Sequence, residues 1–167
     1  MRGNTTPTAT THSKPNTWVR QSRADGSIEK LVALAALMPI VAGIGGNSGN
    51  QTITMIVRAM ALDQVGTGNT ARLLRKEVGV GLVNGLVWGG VIGAVAYWLY
   101  GSWSLGVVMT AAMTLNLLLA ALMGVLIPMT LARLGRDPAM GASVMITAMT
   151  DSGGFFIFLG LATIFLL

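Results

Sequence analysis

One aspartate, Asp151, sits in the segment Met149-Thr150-Asp151-Ser152-Gly153-Gly154, and after Asp137 it is the only charged residue in the chain. A helix starting near Pro138 carries it to a depth of about 20 Å, close to a bilayer midplane. A carboxylate there is costly to insert, and no Lys or Arg lies in the spans at comparable depth. Such an acid faces a watery pathway, an ion or a proton route; the alternative is a protonated or hydrogen-bonded structural Asp. Ser143, Thr147 and Asp151 are spaced four apart and so share one helix face. Their oxygens line one side of a pore, or Ser143 and Thr147 bond back to their own helix. Gly153 and Gly154 permit close approach by a neighbouring helix.

A second candidate is Gly45-Gly46-Asn47-Ser48-Gly49-Asn50-Gln51. Amide and carbonyl oxygens are hard ligands that suit Mg²⁺ or Ca²⁺ rather than soft metals. Helix packing through small residues is the competing reading. A third feature is the four-residue stripe Gly81, Gly85, Gly89 and Gly93. It is read as a helix-packing face. Asn84 and Asn116 are read as helix-to-helix hydrogen-bonding residues rather than ligands. The methionines are read as adaptable packing residues.

These residues need elements to hold them in lipid. Only 10% of the 167 residues are charged and 53% are hydrophobic. Soluble domains carry about 25% charged residues. The mean hydropathy is +0.67. No charge lies from Leu31 to Val57, or from Val78 to Ala132. At about 20 apolar residues per span, the longer run holds two. There is no cysteine, which excludes disulfides, thiolate metal sites and Cys nucleophiles. The sole histidine, His12, lies in a polar tail, so histidine catalysis within the membrane is excluded as well. The net charge of +5 does not signal nucleic acid, because the basic residues cluster at membrane edges.

The expected fold is an all-α polytopic membrane protein, a helical bundle with four transmembrane helices per chain. Residues 1–27 read as a disordered polar and basic tail. The spans are expected at about 28–62, 78–100, 103–132 and 138–167. Pro39 and Gly43–Gly49 suggest a broken or kinked first span. Tyr97, Trp98, Tyr100 and Trp103 form an aromatic belt at the 100–103 turn. The positive-inside rule puts the basic loops 63–77 and 133–137 in the cytoplasm and the C-terminus outside, in a plasma (inner) membrane. The basic tail then lies outside, a conflict that a further upstream span would remove.

Leu34-Ala35-Ala36-Leu37-Met38-Pro39, then Gly45 to Thr52, then Val57-Arg58-Ala59, resemble the second membrane helix of MgtE magnesium transporters. Ile127-Pro128 through Leu134-Gly135-Arg136-Asp137-Pro138-Ala139 resembles the family's link between its fourth and fifth helices. Thr150 to Phe155 and Leu159-Gly160-Leu161-Ala162 resemble its fifth helix. The resemblance covers residues 28–167. It implies a homodimer with a pore on the twofold axis, lined by the helices bearing Asn47, Asn50, Ser143, Thr147 and Ala148. It puts Asp151 of both subunits at the ion-selecting position, with Gly46 and Gly49 carbonyls assisting. Hydrated Mg²⁺, and other divalent cations with it, is then the transported ion, and the lipid bilayer the surroundings. The family's first membrane helix and its cytoplasmic N and CBS regulatory domains have no counterpart in these residues. The expected function is a Mg²⁺ channel core running down the electrochemical gradient, and not an enzyme. The alternatives are a proton-coupled secondary transporter using Asp151 and a non-conducting assembly subunit.

Overall fold

The computed structural model describes residues 17–64 and 70–166. Four helices follow in order: α1 (Thr17–Ala61), α2 (Thr70–Tyr100), α3 (Trp103–Arg133) and α4 (Ala142–Phe165). All regular structure among the described residues is helical, giving the all-α membrane bundle that the charge segregation requires. Three helices, α2, α3 and α4, are long and apolar enough to cross a membrane. The fourth helix, α1, carries the polar Gly45–Gln51 stretch.

Several boundaries differ from the sequence expectation. α1 is one continuous helix of 45 residues that passes through Pro39 and the glycine-rich stretch without a break. Proline removes a single backbone donor, which a membrane helix tolerates. Gly45, Gly46 and Gly49 are held against other helices, as described below. α1 also extends upstream of Ile28, so residues 17–27, expected within the tail, are helical. They contain no proline, and adding residues to an existing helix needs no new nucleus. Residues 1–16 lie outside the described residues. α2 begins at Thr70, so Arg72, Arg75, Lys76 and Glu77 belong to its first turns rather than to a loop over 63–77. Arg, Leu, Lys and Glu are good helix formers, and they prolong the helix beyond its apolar run. α4 starts at Ala142 rather than Pro138 because turn chemistry holds the approach. Asp137 Oδ1 accepts from the Ala139 amide at 2.8 Å, and Gly141 takes φ of +81°, a left-handed conformation suited to glycine.

α3 is the centre of the bundle and packs against α1, α2 and α4; α1 also packs on α4. The α2–α3 contact is built on the glycine stripe. All four stripe glycines are buried. A Cβ at Gly85 would lie 2.7 Å from Thr114 Cα, one at Gly89 2.8 Å from the Thr110 carbonyl oxygen, and one at Gly93 2.6 Å from the Gly106 carbonyl oxygen. Thr110 Oγ1 also donates to the Gly89 carbonyl at 3.0 Å. Backbones this close require the missing side chains. At the far end, Ser102 caps α3 by accepting from the Leu105 amide at 3.4 Å. Tyr97 and Trp103 meet edge-on, 5.8 Å between ring centroids. Trp98 is 82% exposed beside them, as an interfacial aromatic belt would be.

The apolar core divides in two. One cluster includes Leu37, Val41, Met109, Met113, Leu117 and Phe158. The other holds Ile53, Ile127, Ala142 and Ile146. Between them in the helix sequences stand Gly45, Gly46, Gly49 and Thr150, with Asn116 beside Leu117 at the edge of the first cluster. The candidate site occupies this polar level.

Candidate functional site

α1 and α4 run antiparallel, and their contacts set the register. Ser143 Oγ donates to Asn50 Oδ1 at 2.7 Å. Gly49 lies against Ile146, where an added Cβ would be 2.5 Å from Cγ1. Gly46 faces Thr150, whose Oγ1 would be 3.4 Å from an added Cβ. The glycines therefore let α4 lie on the α1 backbone. Asp151 follows Thr150, so it stands at the level of Gly46 and near the middle of the 24-residue α4.

The two readings of Ser143 and Thr147 separate here. Thr147 Oγ1 bonds back to the Ser143 carbonyl at 2.9 Å. Ser143 reaches across to α1 instead. Ser143, Thr147 and Ala148 are exposed and Asp151 is half-buried. Thr150, buried, turns inward and donates to the Ile146 carbonyl at 2.9 Å. On α1, Gly43, Asn47, Gln51, Thr54 and Arg58 are exposed and Asn50 is half-buried. Asn50, Gln51, Thr54, Met55 and Arg58 line an open depression of about 450 Å³ toward the basic end. Of Ser143, Thr147 and Asp151, Ser143 is the one whose side chain is joined to this polar stretch of α1, through Asn50.

Asn47 occupies a different place. With Ser48, Gln51, Asn84, Ile44, Trp88 and Leu117 it lines a cleft of about 180 Å³ between α1, α2 and α3. Asn84 is exposed in that cleft. Asn116 does join helices, its Nδ2 donating to the Val41 carbonyl of α1 at 2.8 Å.

Glu77 carries a role that its position beside the basic residues concealed. It is buried, 4% exposed, and accepts from Thr52 Oγ1 at 3.4 Å. This contact ties the start of α2 to α1, one residue from Gln51. The signal was present in the spacing: Glu77 extends the glycine stripe by one turn. Chemically, Asn50, Ser143, Thr147 and Asp151 carry oxygen donors, the kind that suits a hard cation. Among the described residues there is no group of three or more His, Cys, Asp or Glu that could strip and chelate a metal.

Residues 38–161 match a family described as the divalent cation transporter MgtE. Over 139 residues the chain is 35% identical to the magnesium transporter MgtE of Thermus thermophilus, covering 83% of this chain and 31% of that protein. Over 142 residues it is 30% identical to the magnesium transporter MgtE of Bacillus subtilis, covering 85% and 32%. A magnesium transporter MgtE of Enterococcus faecalis is 33% identical over 149 residues, covering 87% and 32%. The chain spans about a third of the length of these relatives. With the polar face of α1 and α4 in the segment that matches, the chain belongs to the MgtE family of divalent cation transporters.

Proposed function

We propose that this chain forms the membrane pathway of a Mg²⁺ transporter, in which two copies face one another and hydrated Mg²⁺ passes between their Asp151 carboxylates. The observation that carries this reading is a row of exposed polar residues on α1, Gln51, Thr54 and Arg58, joined to α4 through the Asn50–Ser143 bond, with half-buried Asp151 about two turns further along α4. At that depth, polar side chains need water or protein to satisfy them. A second copy across a twofold axis supplies both. Mg²⁺ dehydrates reluctantly, so a site that holds its waters suits it better than a closed cage. Two carboxylates near one axis repel each other, and a divalent cation between them relieves that repulsion. The Asn50 and Ser143 side chains supply neutral oxygens beside α4, whereas Gly46 and Gly49 are buried, packed against Thr150 and Ile146.

The driving force is the membrane potential. It favours inward movement of a divalent cation by about 4.6 kcal/mol per 100 mV, twice the single-charge value. The basic ends of α2 and α3, with Arg72, Arg75, Lys76, Arg133 and Arg136, face the cytoplasm in a plasma membrane. The test is Mg²⁺ uptake into liposomes holding the purified chain, under an inside-negative potential and without a pH gradient. Uptake that follows the voltage supports the channel reading. Uptake that appears only with a proton gradient replaces it with a proton-coupled transporter. No uptake leaves a non-conducting subunit. Cross-linking between copies at Thr147→Cys, exposed one turn from Asp151 on α4, reads the dimer in the same vesicles.

A further inference from the structure

Asn116, at the middle of α3, is fully buried. Its Nδ2 is held by the Val41 carbonyl of α1 at 2.8 Å. Its Oδ1 is also buried and has no hydrogen-bond partner among the described residues. Two glycines enclose this amide. A Cβ added at Gly45 of α1 would fall on it, and one at Gly154 of α4 would lie 3.0 Å from Nδ2 and 3.2 Å from Oδ1. One side chain from α3 therefore fills the gaps that glycine leaves on both α1 and α4. Gly45 precedes Gly46. Gly154 lies three residues from Asp151, on the neighbouring turn of the same side of the helix.

An apolar residue of the same branched shape would fill this space without leaving an acceptor unpaired, which is costly in a buried site. What leucine cannot supply is the bond to Val41. That bond fixes where the wedge sits between the two helices. We propose that Asn116 is a positioning residue that sets the α1–α4 separation at the level of Asp151, and with it the passage open to a hydrated divalent cation. This rests on the reading of Asp151 given above. Mg²⁺ holds its oxygens at 2.0–2.1 Å in a tight octahedron, whereas Ca²⁺ takes them at about 2.3–2.6 Å in a flexible shell. A change in separation therefore alters the ratio of the two fluxes and not only their size.

The test uses the full chain in liposomes, with Mg²⁺ and Ca²⁺ uptake measured separately. Asn116→Leu keeps the branched shape and removes the tether. Its Mg²⁺ flux is expected to fall about fivefold, the equivalent of one buried hydrogen bond, and its Mg²⁺ to Ca²⁺ ratio to change. Gly45→Ala drives a methyl group into the amide and is expected to lower Mg²⁺ flux. Gly45→Ala with Asn116→Ala relieves that clash and recovers part of the flux. This pair carries the comparison if Asn116→Leu does not reconstitute. An unchanged flux ratio in Asn116→Leu would overturn the proposal whatever happens to total flux. So would a double variant no better than Gly45→Ala alone. Absence of Mg²⁺ flux in the unaltered chain is a separate result and removes the transport reading itself.

Discussion

Alanine at Gly85 tests whether the α2–α3 contact is as close as described. The new Cβ would lie 2.7 Å from Thr114 Cα, 3.1 Å from Cγ2 and 3.2 Å from Cβ. Carbon atoms rest at about 3.5–4.0 Å, so the helices must part by about 1 Å. The nearest atom is backbone, so no rotamer change relieves it. Overpacking of this kind costs about 1–3 kcal/mol. Gly90 is the control on the same helix, because a Cβ there meets nothing within 4 Å. Both substitutions gain about 1 kcal/mol of helix propensity, so their difference isolates packing. Unfolding in mixed detergent and SDS micelles, followed by circular dichroism, measures both. Gly85→Ala is expected to be less stable than Gly90→Ala by about 1–3 kcal/mol. Equal stability of the two variants would refute the close contact, and with it the placement of α3 against α2.

Three further outcomes follow from the same contacts. Gly49→Ala puts a Cβ 2.5 Å from Ile146 Cγ1; it is expected to cost about 1–3 kcal/mol in the micelle assay and to lower Mg²⁺ flux, whereas full retention of both would contradict the α1–α4 register. A double-mutant cycle of Asn50→Ala and Ser143→Ala is expected to show coupling of about 0.6 kcal/mol, the average for hydrogen bonds between membrane helices; zero coupling would mean the two do not meet. Glu77→Gln keeps the shape and an acceptor for Thr52 and is expected to be nearly neutral, while Glu77→Ala orphans the Thr52 hydroxyl and costs about 1–3 kcal/mol; equal stability of the two would remove the link between α1 and α2.

Much of the fold is legible because a membrane imposes strong local rules. Uncharged runs mark helices, and the Tyr100–Trp103 turn marks where one stops. The stripe from Gly81 to Gly93 declares a packing face through its four-residue period. Asp151 stands out because nothing charged surrounds it. Contacts between helices are less legible, since periodicity names a face and not its partner. Asn50 meets Ser143 across 93 positions, and Asn116 meets Val41 across 75. Asn47 and Asn50 share one segment, yet one lines the α1–α2–α3 cleft and the other touches α4. Glu77 was hidden by Arg75 and Lys76, which drew it into a loop although its spacing to Gly81 belongs to the stripe. α4 starts at Ala142 and not near Pro138, because Asp137 and Gly141 hold a turn around the proline that the apolar pattern does not reveal.

The central claim is that Mg²⁺ passes Asp151. Its most direct measurement is Mg²⁺ uptake into liposomes under a fixed membrane potential, for the unaltered chain, Asp151→Glu and Asp151→Asn at matched protein content. Asparagine preserves the volume and removes the charge, so its flux is expected to fall by at least about tenfold, or 1.4 kcal/mol. Glutamate keeps the charge and is expected to retain a measurable part. Equal, robust flux in the unaltered chain and Asp151→Asn would contradict the account.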